Sequence, residues 1–317
     1  MTLSHGVTTT KVMIKRTLFF GNPAYLSTKN GQLVVNFPEE GKKEATIPIE
    51  DLGYVVLEHS QITITNGLLM KLVQNKTAVI TCDKQHLPCA LFQPLVGHTE
   101  QTERMRHQIN ASQPLKKNLW QQTVQAKIEN QANHLLRREK NALKLKRWAN
   151  EVKSGDTGNH EAIAAAYYFQ NLFTDLTPGF SRNQSRDVLG GNPPNNLLNY
   201  GYAILRAVTA RALVSSGMLP SVGIFHRNKY NAFCLADDIM EPYRPFVDAV
   251  VYEMVRTGED ISELTPILKA QLLTIPALDV FLDGKWSPLM NAMSRTTSSL
   301  YDCFYGSSRR ILYPMYQ

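Results

Sequence analysis

Residues 90–110 read ALFQPLVGHTEQTERMRHQIN, and the character of the chain changes near Gly97. To its left the sequence is a series of short strand-like runs. The run KRTLFF (residues 15–20) leads into a Gly21-Asn22-Pro23 turn, and residues 24–27 and 32–37 flank Lys29-Asn30-Gly31, where Asn-Gly marks a hairpin. Residues 45–49, 54–58 and 61–65 continue the strand pattern, residues 66–74 read as one short helix, and residues 77–82 and 90–92 end the series. About seven short strands with turn residues between them imply a small sheet or sandwich. To the right, from Arg104 to Asn150, the single proline is Pro114, and Leu115, Leu119, Ile128, Leu135, Leu136, Leu143 and Trp148 recur near helical spacing. The expectation is an α+β protein. A small N-terminal β-sheet or sandwich domain spans residues 13–97, with no catalytic cluster and a role in folding and in pairing with another chain. A larger all-α catalytic domain spans residues 98–317. Residues 1–12, polar and without periodicity, are expected to be an extension.

The chain has 317 residues, is 43% hydrophobic and 19% charged, and carries a net charge of +7. That length holds two domains with a sizeable core. No apolar run reaches membrane-spanning length, and no secretory signal stands at the N-terminus. Cys82, Cys89, Cys234 and Cys303 match no common zinc spacing and read as reduced, mostly buried thiols of a cytosolic protein. Between Arg104 and Asn150 there are eleven Lys or Arg against Glu129 and Glu139. That balance of +9 exceeds the charge of the whole chain, so the remainder is slightly acidic. The densest part holds Arg137, Arg138, Lys140, Lys144, Lys146 and Arg147. A localised basic stripe suits a nucleic-acid backbone; a solvated helix face has the same appearance.

Chemistry concentrates in residues 222–244, VGIFHRNKYNAFCLADDIMEPYR. The apolar run 222–225 and a second one at 232–236, with a polar turn between them, resemble a hairpin, and His226 sits at the end of the first. Asp238 reads as a helix N-cap, with Glu241 completing a capping box, and Pro242 and Pro245 must lie in a first helical turn or before it. Two readings fit: capping groups beside a strand-end histidine, or His226 and Glu241 as two ligands of one Mn²⁺, Mg²⁺ or Zn²⁺ ion. Two ligands do not make a protein metal site. A third candidate is Glu161, after the Gly-rich loop 154–159, in the first turn of an Ala-rich helix where the dipole favours a carboxylate.

Three blocks together, GNHEAIAAAYYF around Glu161, NPPNNLLNYGYAILRA (192–207) and GIFHRNKYNAFCLADDIMEPYRP (223–245), resemble the spacer-acquisition integrases of CRISPR loci, the metal-dependent DNase subunits of the adaptation complex. The resemblance covers the chain after its first dozen residues, and the phrasing is most similar to the subtype of type II loci. It implies that Glu161, His226 and Glu241 are the catalytic metal ligands, for Mg²⁺ or Mn²⁺, with Asp238 supporting them. It also implies a β domain followed by a helical domain, a homodimer formed through the β domain, and a dimer of a small ferredoxin-like partner subunit flanked by two such dimers in a hetero-hexamer. The implied substrate is double-stranded DNA, both as spacer precursor and as repeat array.

The expected reaction is attack of a DNA 3′-hydroxyl on a phosphodiester, with water in its place giving plain nuclease activity. Weaker candidates surround this site. Asn196 is expected as site support and Arg244 as an orienter of Glu241 or a DNA contact. Arg137, Arg138, Lys144, Arg147, Arg182 and Arg186 are DNA-binding candidates. Two other functions keep the basic stripe: a structure-selective nuclease without an insertion role, and a scaffold whose acids only cap helices.

Overall fold

The structure is a computed structural model that describes residues 16–317, apart from 40, 85–87, 93 and 183–191. Its first part is built from β1 (Arg16–Phe20), β2 (Ala24–Lys29), β3 (Gln32–Asn36), β4 (Ala45–Pro48), β5 (Leu52–Leu57), β6 (Ile62–Ile64), helix α1 (Asn66–Gln74), β7 (Ala78–Cys82) and β8 (Pro88–Phe92). Two four-stranded sheets result, in the orders β1-β5-β7-β8 and β4-β3-β2-β6. The β2–β3 turn holds Asn30 and Gly31 at φ of 52° and 76°, the left-handed geometry that Asn-Gly adopts at low cost.

The inner strands of the first sheet, β5 and β7, bury residues on both faces. Leu52, Val55 and Val79 join Leu26, Leu33, Val35 and the α1 residues Leu68 and Leu72 in a core between the sheets. Tyr54, Val56, Ala78 and Ile80, alternating with them, pack into the core of the helical part. Strands with two buried faces must read as continuous apolar runs, as LGYVVL and AVITC do. A buried ion pair ties the parts together, between Glu58 just after β5 and Lys269.

The second part comprises α2 (Gln101–Asn110), α3 (Gln113–Arg137), α4 (Leu143–Glu151), α5 (His160–Leu172), α6 (Asn195–Ser215), α7 (Cys234–Met240), α8 (Arg244–Arg256) and α9 (Pro266–Leu272). It ends with β9 (Asp279–Leu282), β10 (Lys285–Pro288) and α10 (Leu289–Tyr305). The β9–β10 hairpin corrects the all-α expectation. Its turn is Asp283-Gly284, both at positive φ, a hairpin dipeptide visible in the sequence. Gly97 marks the junction: a Cβ there would stand 2.2 Å from the Val214 carbonyl oxygen at the end of α6.

Helix α3 is central. Ser112 accepts the Leu115 N–H as its cap and Pro114 lies in the first turn, both favoured choices. Leu119, Trp120, Val124, Ile128, Ala132 and Leu135 are buried along it, and so are Lys116, Thr123, Lys127, Asn130 and His134. Two of the eleven basic residues counted in this region, Lys116 and Lys127, are therefore interior. Residues 222–225 and 232–236 do not form the expected hairpin: 222–225 lie in a loop, and Cys234–Met240 is helix α7.

Candidate active site

Glu161 stands at the second position of α5, and the helix start is fixed by a residue upstream of it. Both carboxylate oxygens of Asp156, itself buried, accept backbone N–H groups of that turn, from His160 and Glu161, at 2.9 Å each. Asn159, the position before the helix, has a left-handed backbone and no capping bond.

Glu241 begins a single 3-10 turn, Glu241–Tyr243, between α7 and α8, which places Pro242 and Pro245 in first turns where a missing N–H costs nothing. From α3, Asn130 Nδ2 donates to the Pro242 carbonyl at 2.7 Å and to the Pro314 carbonyl at 3.0 Å, which fixes the turn. Asp238 is not an N-cap; it lies inside α7 and is fully buried.

His226 belongs to the loop before α7, which Asp238 organises. One carboxylate oxygen accepts the N–H groups of Ile224 (2.7 Å) and Phe225 (3.0 Å); the other accepts the His226 N–H (3.2 Å) and Nδ1 (2.6 Å). These bonds take the place of a sheet partner for the apolar run. Gly223 permits this fold-back, since a Cβ there would lie 2.4 Å from the His226 carbonyl oxygen and 2.8 Å from Asp238 Oδ2. Gln108 of α2 brackets the loop from behind, donating to the Leu219 and Val222 carbonyls. Phe225 stacks on Trp120 of α3 at 4.2 Å between ring centroids and 3° between planes.

The two glutamates meet at one cation. Lys127 of α3 pairs with Glu161 Oε1 and lies 2.5 Å from Glu241 Oε2, while Arg244 holds the other Glu241 oxygen at 2.9 Å. Lys127 and Glu241 form a buried floor, and Glu161 and His226 a more open rim, with side-chain exposures of 29% and 43%. Burial alone would raise the Glu241 pKa, but Arg244 and Lys127 hold it below the ordinary value, so it is a carboxylate. The hydrogen bond to Asp238 raises the His226 pKa. Nδ1 is committed to Asp238, which leaves Nε2 as the ring atom for a ligand.

Two hard carboxylates and one oriented imidazole suit Mg²⁺ or Mn²⁺ by chemistry. Glu241 Oε2 also fits: it is a buried oxygen that faces the Lys127 ammonium at 2.5 Å, a place where a cation is already accommodated. Among the described residues, however, no three of His, Cys, Asp and Glu are gathered closely enough to ligate one ion as they stand. The Lys127 ammonium occupies the space between the two glutamates.

The family model described as "CRISPR associated protein Cas1" matches residues 18–264. The chain belongs to the Cas1 family. It is 38% identical over 294 residues to the CRISPR-associated endonuclease Cas1 of Neisseria meningitidis serogroup C (strain 8013), covering 90% of this chain and 91% of that one. It is 27% identical over 305 residues to a CRISPR-associated endonuclease Cas1 of Francisella tularensis subsp. novicida (strain U112), covering 89% and 93%. In fold it is similar to a casposase bound to integration product, with a TM-score of 0.77, 18% identity and coverage of 93% and 92%. It is also similar to the Cas1 protein of Thermotoga maritima, with a TM-score of 0.70, 15% identity and coverage of 92% and 97%.

In this Cas1 family member the outlying candidates divide. Arg244 orients Glu241 and lies over the Tyr202 ring at 4.8 Å. Asn196 does not support the site; its Nδ2 donates to the Ile261 carbonyl and ties α6 to the segment before α9. Arg182 donates to Asn195 Oδ1 and Asn199 Oδ1 of α6, both at 2.7 Å. Arg138 is paired with Glu253 at 2.6 Å and stacked on Tyr252. Arg137, Lys144 and Arg147 are exposed, and Arg186 lies outside the described residues.

Sequence reasoning missed Lys127. The signal was present: it falls seven residues after Trp120 and eight before Leu135, on the apolar face of α3. A lysine on that stripe has to find buried anions.

Proposed function

We propose that this Cas1 family protein is a divalent-metal-dependent DNA endonuclease and integrase that inserts short duplexes into a CRISPR repeat array, of a type II locus. The observation that carries the proposal is the convergence of Glu161 and Glu241 on one cation position, beside a histidine whose outer nitrogen is left open by Asp238. The names of two relatives support it, one a CRISPR-associated endonuclease and the other a casposase bound to integration product.

Glu161, Glu241 and His226 would hold Mg²⁺ or Mn²⁺. The ion would supply positive charge to the phosphate and lower the pKa of an oxygen bound to it. Asp238 keeps the proton on Nδ1 and turns Nε2 outward. Arg244 fixes the Glu241 carboxylate from the side away from Lys127. The 3′-hydroxyl of the incoming strand gives up its proton as its oxygen bonds to phosphorus, the repeat's own P–O3′ bond breaks, and the released 3′-oxygen takes up a proton, so that none is consumed overall. Water in place of the incoming hydroxyl yields cut ends. The chain works as a cytoplasmic homodimer, paired through its N-terminal sheets. Two such dimers flank a dimer of a small ferredoxin-like subunit in a hetero-hexamer; fold similarity to a Cas6-RT-Cas1–Cas2 complex supports the presence of such a partner.

The test is strand transfer. Purified protein, with and without the small partner, is given a duplex with free 3′-hydroxyls, a supercoiled repeat-bearing plasmid and Mn²⁺ or Mg²⁺. Joined products should form in the wild type and vanish with chelator, His226→Ala or Glu161→Ala. Cutting without joining, partner included, overturns the integrase; DNA binding with no metal-dependent product overturns both activities.

A further inference from the structure

We infer that Lys127 is a displaceable internal counter-ion, which holds Glu161 and Glu241 together in the metal-free protein and must leave them before a divalent cation can bind. The inference rests on the metal reading of Glu161, Glu241 and His226, and it assigns a positioning role to a residue outside the predicted ligand set.

Three features carry it. The ammonium pairs with one oxygen from each glutamate, and one of them, Glu241 Oε2, has no hydrogen-bond donor to replace it. Lys127 is 3% exposed, and a buried ammonium needs anions as much as the buried Glu241 needs a cation. The charges of Glu161, Glu241, Lys127 and Arg244 already sum to zero. A divalent ion added to the four would leave a partly buried cluster at +2, with two cations competing for the same carboxylate oxygens.

The backbone beneath Lys127 is fixed, whereas its side chain is held by the two glutamates alone among the ion pairs around it. Asn130 anchors α3 to the carbonyls of Pro242 and Pro314, and His134 Nδ1 is 2.7 Å from the Tyr168 hydroxyl. What remains free to move is the four-carbon stem. Ion binding therefore swings the ammonium away while α3 stays in place, and occupancy is set by the difference between the two cations' hold on the glutamates.

Mn²⁺ binding is measured by electron paramagnetic resonance on the full chain, in the wild type, Lys127→Met and His226→Ala. Removing the competitor should tighten Mn²⁺ binding by at least about tenfold in Lys127→Met. A lysine that only shaped the site would, on removal, weaken binding. Weaker or unchanged binding in Lys127→Met, with wild-type binding that His226→Ala abolishes, overturns the inference and leaves the metal reading intact. No Mn²⁺ binding in any of the chains overturns both. Should Lys127→Met fail to fold, wild-type crystals soaked in Mn²⁺ decide: the ammonium displaced from both glutamates supports the inference, and an ion bound with Lys127 still bridging them overturns it.

Discussion

Asp238 holds His226 at two atoms, accepting from Nδ1 at 2.6 Å and from the backbone N–H at 3.2 Å. The contact sets both the direction of the ring and its protonation. Asp238→Asn should weaken Mn²⁺ binding by about 10- to 100-fold, the usual effect of losing such a partner. The pH dependence should move as well. The hydrogen bond raises the His226 pKa above its ordinary value of 6.5, and a protonated ring cannot ligate a metal. Wild-type Mn²⁺ affinity should therefore rise with pH through a midpoint above 6.5, and that midpoint should fall in Asp238→Asn. Calorimetric titrations across pH 5.5–8.5 read both effects.

The Glu58–Lys269 pair is buried on both sides. Lys269→Ala removes the buried ammonium that Glu58 pairs with beside β5 and should cost about 3–5 kcal/mol of stability by urea unfolding. The double change Glu58→Gln with Lys269→Met, which buries no net charge, should recover most of that loss.

Asp248 lies behind the site. Burial raises its pKa to about 6, against hydrogen bonds from the Tyr202 and Tyr168 hydroxyls and the charges of Arg182 and Arg244. A carboxyl that titrates higher when folded favours the fold while protonated. Its contribution is therefore complete below pH 3.8 and is lost as pH rises to about 6. Two pKa units correspond to about 3 kcal/mol. Asp248→Asn should remove this slope, so that the difference in Tm between variant and wild type shifts in the variant's favour from pH 4 to pH 7.

Arg137, Lys144 and Arg147 are exposed and lie on or beside α3 and α4. Replacing all three by alanine should weaken duplex binding without sequence preference. If each neutralises one phosphate, the slope of log affinity against log salt falls by about 2.7 in magnitude. Fluorescence anisotropy between 50 and 300 mM salt measures it, and an unchanged slope places the DNA elsewhere.

Much of the fold was legible because its signals are local. Asn30-Gly31 and the two-faced apolar runs of β5 and β7 specify a sheet, and Pro114 after Ser112 starts α3. The loop around His226 was not legible. Its apolar run looks like a strand, and the bonds that keep it from being one come from Asp238, twelve residues on. Charge counting misled for a related reason. It treats Lys116, Lys127 and Arg138 like Arg137, yet the first two are buried and the third is paired with Glu253. Composition cannot separate a basic surface from a basic interior.

Helix α3 is in effect a ruler. Along 25 residues, about 37 Å, it sets Trp120 under Phe225, Lys127 between the glutamates, Asn130 on the Pro242 turn and His134 against Tyr168. These marks stand 7, 3 and 4 residues apart, so all face the same way. One residue inserted between Trp120 and Lys127 would rotate everything beyond it by about 100°, sending the ammonium, the amide and the imidazole off the stripe at once. Such a segment changes by substitution and resists changes of length, in contrast to the loops on either side of it.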